Sequence, residues 1–391
     1  MLVSAVGEGA LAYDLATETA HVLNAAAGVV LQTSDGVTRV DDLASQWSEA
    51  SGTDADVIRG DIESIIESFT DLGLVGRIED FVPSDPLDVS TNVVDLPLDP
   101  PLFTTTPFQV IDTHIVIHGS DEKVIAAIEE FLGGPGYGSV SAEEIDVVGD
   151  GGGHIVEFTV SEHPDGGYVL SGPIERGGSA RPRRMAQRRG PTIAEMCHQV
   201  TMVMNRYAAA SDSCVVLHSG GVRGPNGEII VLPAESESGK STLTAAFVAQ
   251  GWDYLSDEAI GIREQTCVAV GYPKPFSLSS ASRSVLGLTE PAFDHDELPV
   301  AEVRGATACL FGDVDAITRV VLPTYKTGVE LELVDLNSQD AVLALLANTL
   351  NLAHVGQSGL DALCDLAERV PVQQLTHSSA FDAMKAIVGN D

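Results

Sequence analysis

A short apolar run, Ile229-Ile-Val-Leu-Pro233, leads directly into Ala234, Glu235, Ser236, Glu237, Ser238, Gly239, Lys240, Ser241 and Thr242. The spacing Ala-x4-Gly-Lys-Ser is the Walker A pattern with alanine in its first position. The flanking residues predict strand, loop and helix in that order, with Thr242 to Gln250 as the helix. Backbone N–H groups of the loop and the helix N-terminus would cradle phosphates. Lys240 would neutralise the β and γ oxygens of ATP, and the Ser241 hydroxyl would ligate Mg²⁺. Glu235 and Glu237 stand where such loops are usually rich in glycine or serine. A carboxylate about 6 Å from a phosphate charge costs roughly 3 kcal/mol at an effective dielectric near 20, and under about 1 kcal/mol if solvated. Tight binding therefore requires both acidic side chains to point outward.

A second group of chemically able residues follows closely. Gly251-Trp-Asp-Tyr-Leu-Ser-Asp-Glu258 reads as the next strand, ending in two carboxylates. A short crossover to a neighbouring strand would bring both beside the loop. One carboxylate of Asp257 and Glu258 could then accept the proton of an acceptor hydroxyl, with the other orienting that hydroxyl or the metal. Further along, His354, His377, Asp361, Asp365 and Glu368 show no metal-ligand spacing and read as structural or surface residues.

The elements that must position these groups divide the chain into units. Residues 1–80 hold strand candidates at Leu11–Asp14 and His21–Leu23. They also hold a helix over Ala25–Gln32 capped by Asn24, apolar helical spacing from Val40 to Trp47, and a stronger helix from Asp54 or Asp56 to near Gly73. A short extended piece, Leu74-Val75-Gly76, would follow. Residues 81–107 carry six prolines; proline removes backbone donors and favours extended chain, so this reads as a linker between independent cores. From Phe108 the pattern is α/β. It predicts a strand over Gln109–His118, a helix over Glu122–Leu132, strands near His154–Val160 and Tyr168–Leu170, and a helix over Pro191–Ala210. Residues 108–212 thus flank a core at 213–391. In that core, Val215–His218, Ala306–Phe311 and Ile317–Leu322 read as strands, and Ser338–Ala347 as a helix capped by Ser338.

Two resemblances join these patterns. His21-Val-Leu-Asn24, Asp35-Gly36, Val40 to Leu43, and Asp61 to Val75 ending in Leu72-Gly-Leu-Val resemble the PqqD-like domain over residues 1–80. This implies a small winged-helix-like α+β unit that recognises the leader of a ribosomally made peptide by adding it as a strand to its sheet. Residues 108–391 resemble HPr kinase/phosphorylase and its bacterial relatives, most closely over 214–262. That implies a P-loop kinase core of the HPr-kinase/PEP-carboxykinase-like type. The resemblance places His218 on the strand before the loop, sets Ser256-Asp257-Glu258 where the family has Ala-Asp-Asp, and makes Asp257 a metal ligand as well as a base. Tyr272-Pro-Lys-Pro275 resembles a basic turn whose Lys274 would reach a phosphate. Glu302-Val-Arg-Gly305 resembles Glu-x-Arg-Gly, with Glu302 assisting the metal and Arg304 steadying the transferred group. The family's phosphorylase signature and HPr-contacting helices are not recognisable.

Composition narrows the functions. Of 391 residues, 57 are acidic and 21 basic, a formal charge of −36. Such a surface repels phosphate backbones and anionic lipid, which argues against nucleic-acid and membrane partners. Only five of the basic residues are lysines, a balance that either a salt-rich cytoplasm or a GC-rich genome would give. Six of the sixteen arginines fall between Arg176 and Arg189, as a solvated loop or a dock for an acidic peptide or phosphate. The five cysteines include no C-x-x-C pair, so neither a disulfide framework nor a structural zinc site is expected. No basic n-region precedes an apolar h-region, and no stretch approaches about 18 apolar residues, so the chain reads as cytoplasmic.

Together these readings predict an ATP-dependent kinase acting on a hydroxyl of a ribosomally synthesised peptide or leader-bearing protein. Its partners would be the precursor peptide and other peptide-modification enzymes, with homo-oligomerisation open. The alternatives are a nucleotide-gated peptide-binding chaperone and a small-molecule kinase.

Overall fold

The computed structural model describes residues 1–34, 37–72, 74–75, 103–133, 154–175, 188–288, 297–303 and 308–389. The chain begins with an antiparallel meander of β1 (Leu2–Val6), β2 (Gly9–Asp14) and β3 (Thr19–Asn24). The β1–β2 turn is tight, with Gly7 at φ 55°, a conformation glycine adopts without a Cβ penalty. Helix α1 (Ala25–Gln32) starts directly from β3, and the Asn24 side chain accepts the Ala27 N–H at 2.8 Å, the cap expected from sequence. Helices α2 (Val40–Ser51) and α3 (Ala55–Asp71) complete the unit. Their apolar faces meet the sheet through Val30, Leu31, Leu43, Ile58, Ile62 and Phe69. Leu74 and Val75 form a bend rather than an extended piece; the backbone N–H groups of both fold back onto the Phe69 carbonyl.

A second sheet contains β4 (Phe103–Thr104), β5 (Phe108–Val110), β6 (Thr113–Gly119), β7 (His154–Glu162), β8 (Tyr168–Glu175) and β9 (Arg188–Gly190). Helices α4 (Glu122–Leu132) and α5 (Ile193–Ala208) pack on it through Ile115, Ile128, Phe158, Met196 and Val200. The single strand expected over Gln109–His118 is a hairpin. Ile111 takes φ 57° and reverses the chain, so β5 pairs antiparallel with β6. A β-branched residue in the left-handed region is unusual, and burial of Ile111 in the core holds it there. Helix α5 starts with a reciprocal capping box between Thr192 and Glu195, a pattern written in the sequence as Thr-x-x-Glu.

The third unit is a nine-stranded sheet. Its strands are β10 (Val215–Arg223), β11 (Ile229–Pro233), β12 (Asp253–Ser256), β13 (Ala259–Ile262) and β14 (Val268–Gly271). After the small separate pair β15 (Phe276–Ser277) and β16 (Glu297–Leu298) come β17 (Gly312–Ala316), β18 (Arg319–Tyr325), β19 (Glu332–Asp335) and β20 (Val372–His377). The order is β17-β14-β13-β10-β11-β18-β20-β19, with β12 beside β10. Only β11, β18 and β20 run parallel. All five residues of β11 are buried, as helices on both faces require. Those helices are α6 (Lys240–Ala249), α7 (Ser280–Leu286), α8 (Val300–Val303), α9 (Ser338–Leu346), α10 (Leu352–Arg369) and α11 (Ala380–Val388).

Two local expectations fail here. No strand forms at 308–311, which touches β12 through the single bridge Tyr254–Cys309. Ala308 and Leu310 spend their backbone groups on Tyr254 alone, so no ladder continues. The cap of α9 is Asn337, whose side chain accepts the Asp340 N–H, and not Ser338, which is the first helical residue.

The N-terminal unit is not independent of the rest. Gln357 on α10 accepts the Val3 N–H at 3.1 Å and donates to the Val3 carbonyl at 2.9 Å, while Glu368 accepts the Gly7 N–H. Leu2, Val6 and Leu11 share one core with Leu360, Leu363 and Cys364. One edge of the small sheet is thus covered, and at the other, β3, no further strand pairs among the described residues.

Candidate functional site

The carboxyl ends of β11, β18 and β20 lie together, the place where open α/β sheets bind ligands. The loop after β11 turns through two left-handed residues, Glu237 at φ 66° and Gly239 at φ 89°. At Gly239 a Cβ would lie 3.0 Å from the Tyr325 Cβ, so a side chain there would crowd the end of β18. Ala234 is buried and donates its N–H to the His218 carbonyl. Glu235, Ser236 and Glu237 are exposed, so both acidic side chains lie outward in solvent. Ser238 is half-buried, and its hydroxyl finds no hydrogen-bond partner among the described residues.

Lys240 opens α6 and is only 5% exposed. Among the described residues its ammonium has no hydrogen-bond partner. Burial pushes its pKa down to about 8, opposed by the nearby carboxylates of Glu258 and Asp257 and reinforced by Lys274. Close approach of α6 to β10 depends on Gly220, where a Cβ would meet the Thr244 hydroxyl at 2.2 Å. Ser241 and Thr242 are half-buried in the first turn, and the Thr242 hydroxyl donates to Ser282 at 2.7 Å.

The two consecutive acids differ sharply in surroundings. Asp257 is 1% exposed. Its Oδ1 accepts from the Tyr254 hydroxyl at 2.9 Å and lies 3.1 Å from the Lys274 ammonium, while Oδ2 accepts the Ser277 N–H at 3.0 Å. Lys274, expected to reach toward a phosphate, is itself buried and also donates to the Pro275 carbonyl. Burial works against its charge, but Asp257, Glu258 and Glu297 outweigh it, and its pKa is raised. Glu258 is the open member. Its side chain is 32% exposed, 3.8 Å from Lys274 and 3.8 Å from the His218 Nε2. Burial and the Lys240 charge keep the His218 imidazole below its ordinary pKa, with Glu258 opposing.

Glu258 and Lys274 face a cleft of about 550 Å³, whose far wall is α5 with His198, Met202 and Arg206. The middle unit therefore supplies one side of the site. His198 and Glu297 pair across it at 3.1 Å. Sequence reasoning did not single out either residue; they lie far apart in the chain and no spacing relates them.

Other expected residues are not drawn together. Glu302 is exposed on α8 and makes no ion pair with Lys240 or Lys274 among the described residues. Arg304 lies outside the described residues, as do Arg176, Arg181, Arg183 and Arg184. Of the arginine cluster, Arg188 donates to Gln199 and Arg189 to the Gly166 carbonyl. Among the described residues no three His, Cys, Asp or Glu side chains form a metal cage, and no helix is long and apolar enough to cross a membrane.

The family model described as coenzyme PQQ synthesis protein D (PqqD) matches residues 10–75. The N-terminal unit is PqqD-like, and the match spans β2 to the end of α3, leaving out β1, the strand held by α10. No curated protein matches the chain.

Proposed function

We propose that the chain is an ATP-dependent kinase that phosphorylates a hydroxyl of a peptide held by its N-terminal unit. The carrying observation is Lys240: an ammonium almost wholly buried, without a hydrogen-bond partner among the described residues, at the N-terminus of a helix entered through a left-handed glycine. A buried cation at a helix N-terminus suits an anion, and a phosphate would add direct hydrogen bonds to the longer-range attraction of Glu258 and Asp257. Glu235 and Glu237, exposed to solvent, keep their own charge out of the cradle.

Glu258, facing the cleft, is suited to take the proton of the acceptor hydroxyl. Asp257, sealed by Tyr254, Ser277 and Lys274, is suited to hold that strand end in place. Mg²⁺ brought by a nucleotide would keep most of its ligands as phosphate and water, so it would not need a cage of protein carboxylates. The Ser241 hydroxyl would hold it, and the metal would neutralise charge on the phosphates. Asp257, already paired with a cation at 3.1 Å, is a poor metal ligand in this arrangement. At the other end, β3 is the sheet edge at which no further strand pairs among the described residues, with Val22 47% exposed. A peptide strand added there gains backbone hydrogen bonds, and capture raises the effective concentration of its acceptor residue. The PqqD-like match supports a place in a peptide-modification system.

The test is transfer of ³²P from γ-labelled ATP to a co-encoded precursor peptide, with and without its leader. Label on the full-length peptide and much less on the leaderless one is expected. Leader-dependent nucleotide binding without label would instead favour the chaperone reading.

The lowered pKa of Lys240 gives a second expectation. A lysine loses its charge as pH rises through its pKa, here about 8. Mg·ATP affinity should be flat below that value and weaken by up to tenfold per unit above it, because binding must then take up a proton. Calorimetry between pH 7 and 9.5 would read this. Lys240→Arg, which stays charged throughout, should flatten the profile.

A further inference from the structure

We propose that Tyr325 is the platform for the nucleotide's base, which stacks on its ring while the triphosphate runs across the loop toward the cleft. The inference deepens the proposed function and rests on it. In-line transfer sets the attacking and leaving oxygens on opposite sides of the moving phosphorus. The nucleoside must therefore leave the loop on the side away from the acceptor. β11 feeds the loop and has two neighbours in the sheet, β10 and β18. Glu258, on the cleft, directly precedes β13, which pairs with β10. The acceptor thus belongs to the β10 side, and the base falls to the side of β18 and β20.

Tyr325 is the last residue of β18. Its N–H donates to the Ser238 carbonyl at 2.9 Å, and its Cβ lies 3.0 Å from where a Cβ at Gly239 would stand. The side chain therefore starts in contact with the loop itself. It is nonetheless 46% exposed, and no other aromatic side chain among the described residues is exposed. A large ring left in water forgoes the burial that the other aromatics obtain by packing. Nor is the ring loose. It meets the His377 ring edge-on, with centroids 5.8 Å apart. His377 is 1% exposed and is held by a hydrogen bond with the Ser379 backbone. The Lys326 N–H donates to the His377 carbonyl, and the Ser378 hydroxyl to the Val329 carbonyl, each at 2.9 Å. The ends of β18 and β20 thus form one braced corner beside the loop. A fixed, half-open ring there offers a π-face to a planar base.

Calorimetry on the full-length chain tests this with two ligands, Mg·ATP and inorganic tripolyphosphate with Mg²⁺. Tyr325→Ala should weaken Mg·ATP binding about tenfold or more, the worth of one base–aromatic stack. Tripolyphosphate, which has no base, should bind as before. Tyr325→Trp, with a larger π-face, should keep the Mg·ATP affinity. Equal losses for both ligands would make the ring a support of the loop, and unchanged Mg·ATP affinity would make it an idle surface residue; either result overturns the proposal. Should Tyr325→Ala fail to fold, Tyr325→Leu, which keeps apolar bulk without a π-face, carries the same comparison. Lys240→Ala separates the two failures. If it loses both ligands while Tyr325→Ala binds Mg·ATP normally, only the base proposal falls; if Lys240→Ala binds both normally, the nucleotide reading falls and takes this one with it.

Discussion

Glu258→Gln should lower phosphoryl transfer to the peptide by roughly 10²–10⁴-fold, the usual worth of a positioned general base, with Mg·ATP affinity and stability nearly unchanged. The glutamine keeps the size and hydrogen-bonding reach of the side chain but cannot accept a proton at neutral pH. Glu258 is the acid on the cleft side, so nothing else on that strand end offers an acceptor hydroxyl a carboxylate. Asp257→Asn should behave differently. Lys274 is 3.1 Å away and fully buried, and breaking a buried pair by neutralising one partner costs about 3–5 kcal/mol. A lowered melting temperature is therefore its leading effect. The two variants together decide the roles. Full transfer by Glu258→Gln, alongside loss of transfer by a still-folded Asp257→Asn, would return the base to Asp257. Full transfer by both would remove this strand end from the chemistry.

Lys240→Ala should weaken Mg·ATP binding by roughly 10²-fold or more, since truncating one partner of a buried charge pair costs about 2–5 kcal/mol. The same change takes out of the interior an ammonium that has no hydrogen-bond partner among the described residues, so the nucleotide-free protein should lose little stability to the small cavity left behind. Isothermal titration and thermal melts on the same samples would show both. Unaltered affinity would sink the phosphate-loop reading outright.

Much of this was legible before any coordinates. Residues 229–242 declare an apolar strand, a turning loop and a helix within a dozen or so positions, and β11, the loop and α6 fall where they should. Helices α1 and α4 match their expected bounds to the residue, because Asn24 and Asp121 cap them and apolar spacing sets their inner faces. Charge alone made outward placement of Glu235 and Glu237 a condition of tight phosphate binding, and the fold leaves both exposed. Misreadings cluster where a neighbour distant in sequence decides. Burial of Ile111 turned an expected strand into a hairpin, and Tyr254 took the backbone groups that 308–311 needed for a ladder.

The sequence by itself determined the pieces whose causes are local: the loop and its lysine, the capped helices, the acid pair at a strand end, and the formal charge of −36. Tertiary structure alone decided which of two adjacent acids opens to the cleft. That choice depends on Tyr254, Lys274 and Ser277 converging on Asp257, and strand alternation cannot say which of two neighbours a fold will bury. It also decided that α5 walls the cleft, that β1 and not β3 docks on α10, and that His377 lies beneath Gly239. Each of these is a contact between residues tens to hundreds of positions apart, set by how strands order themselves in a sheet, and no local period or spacing records that order.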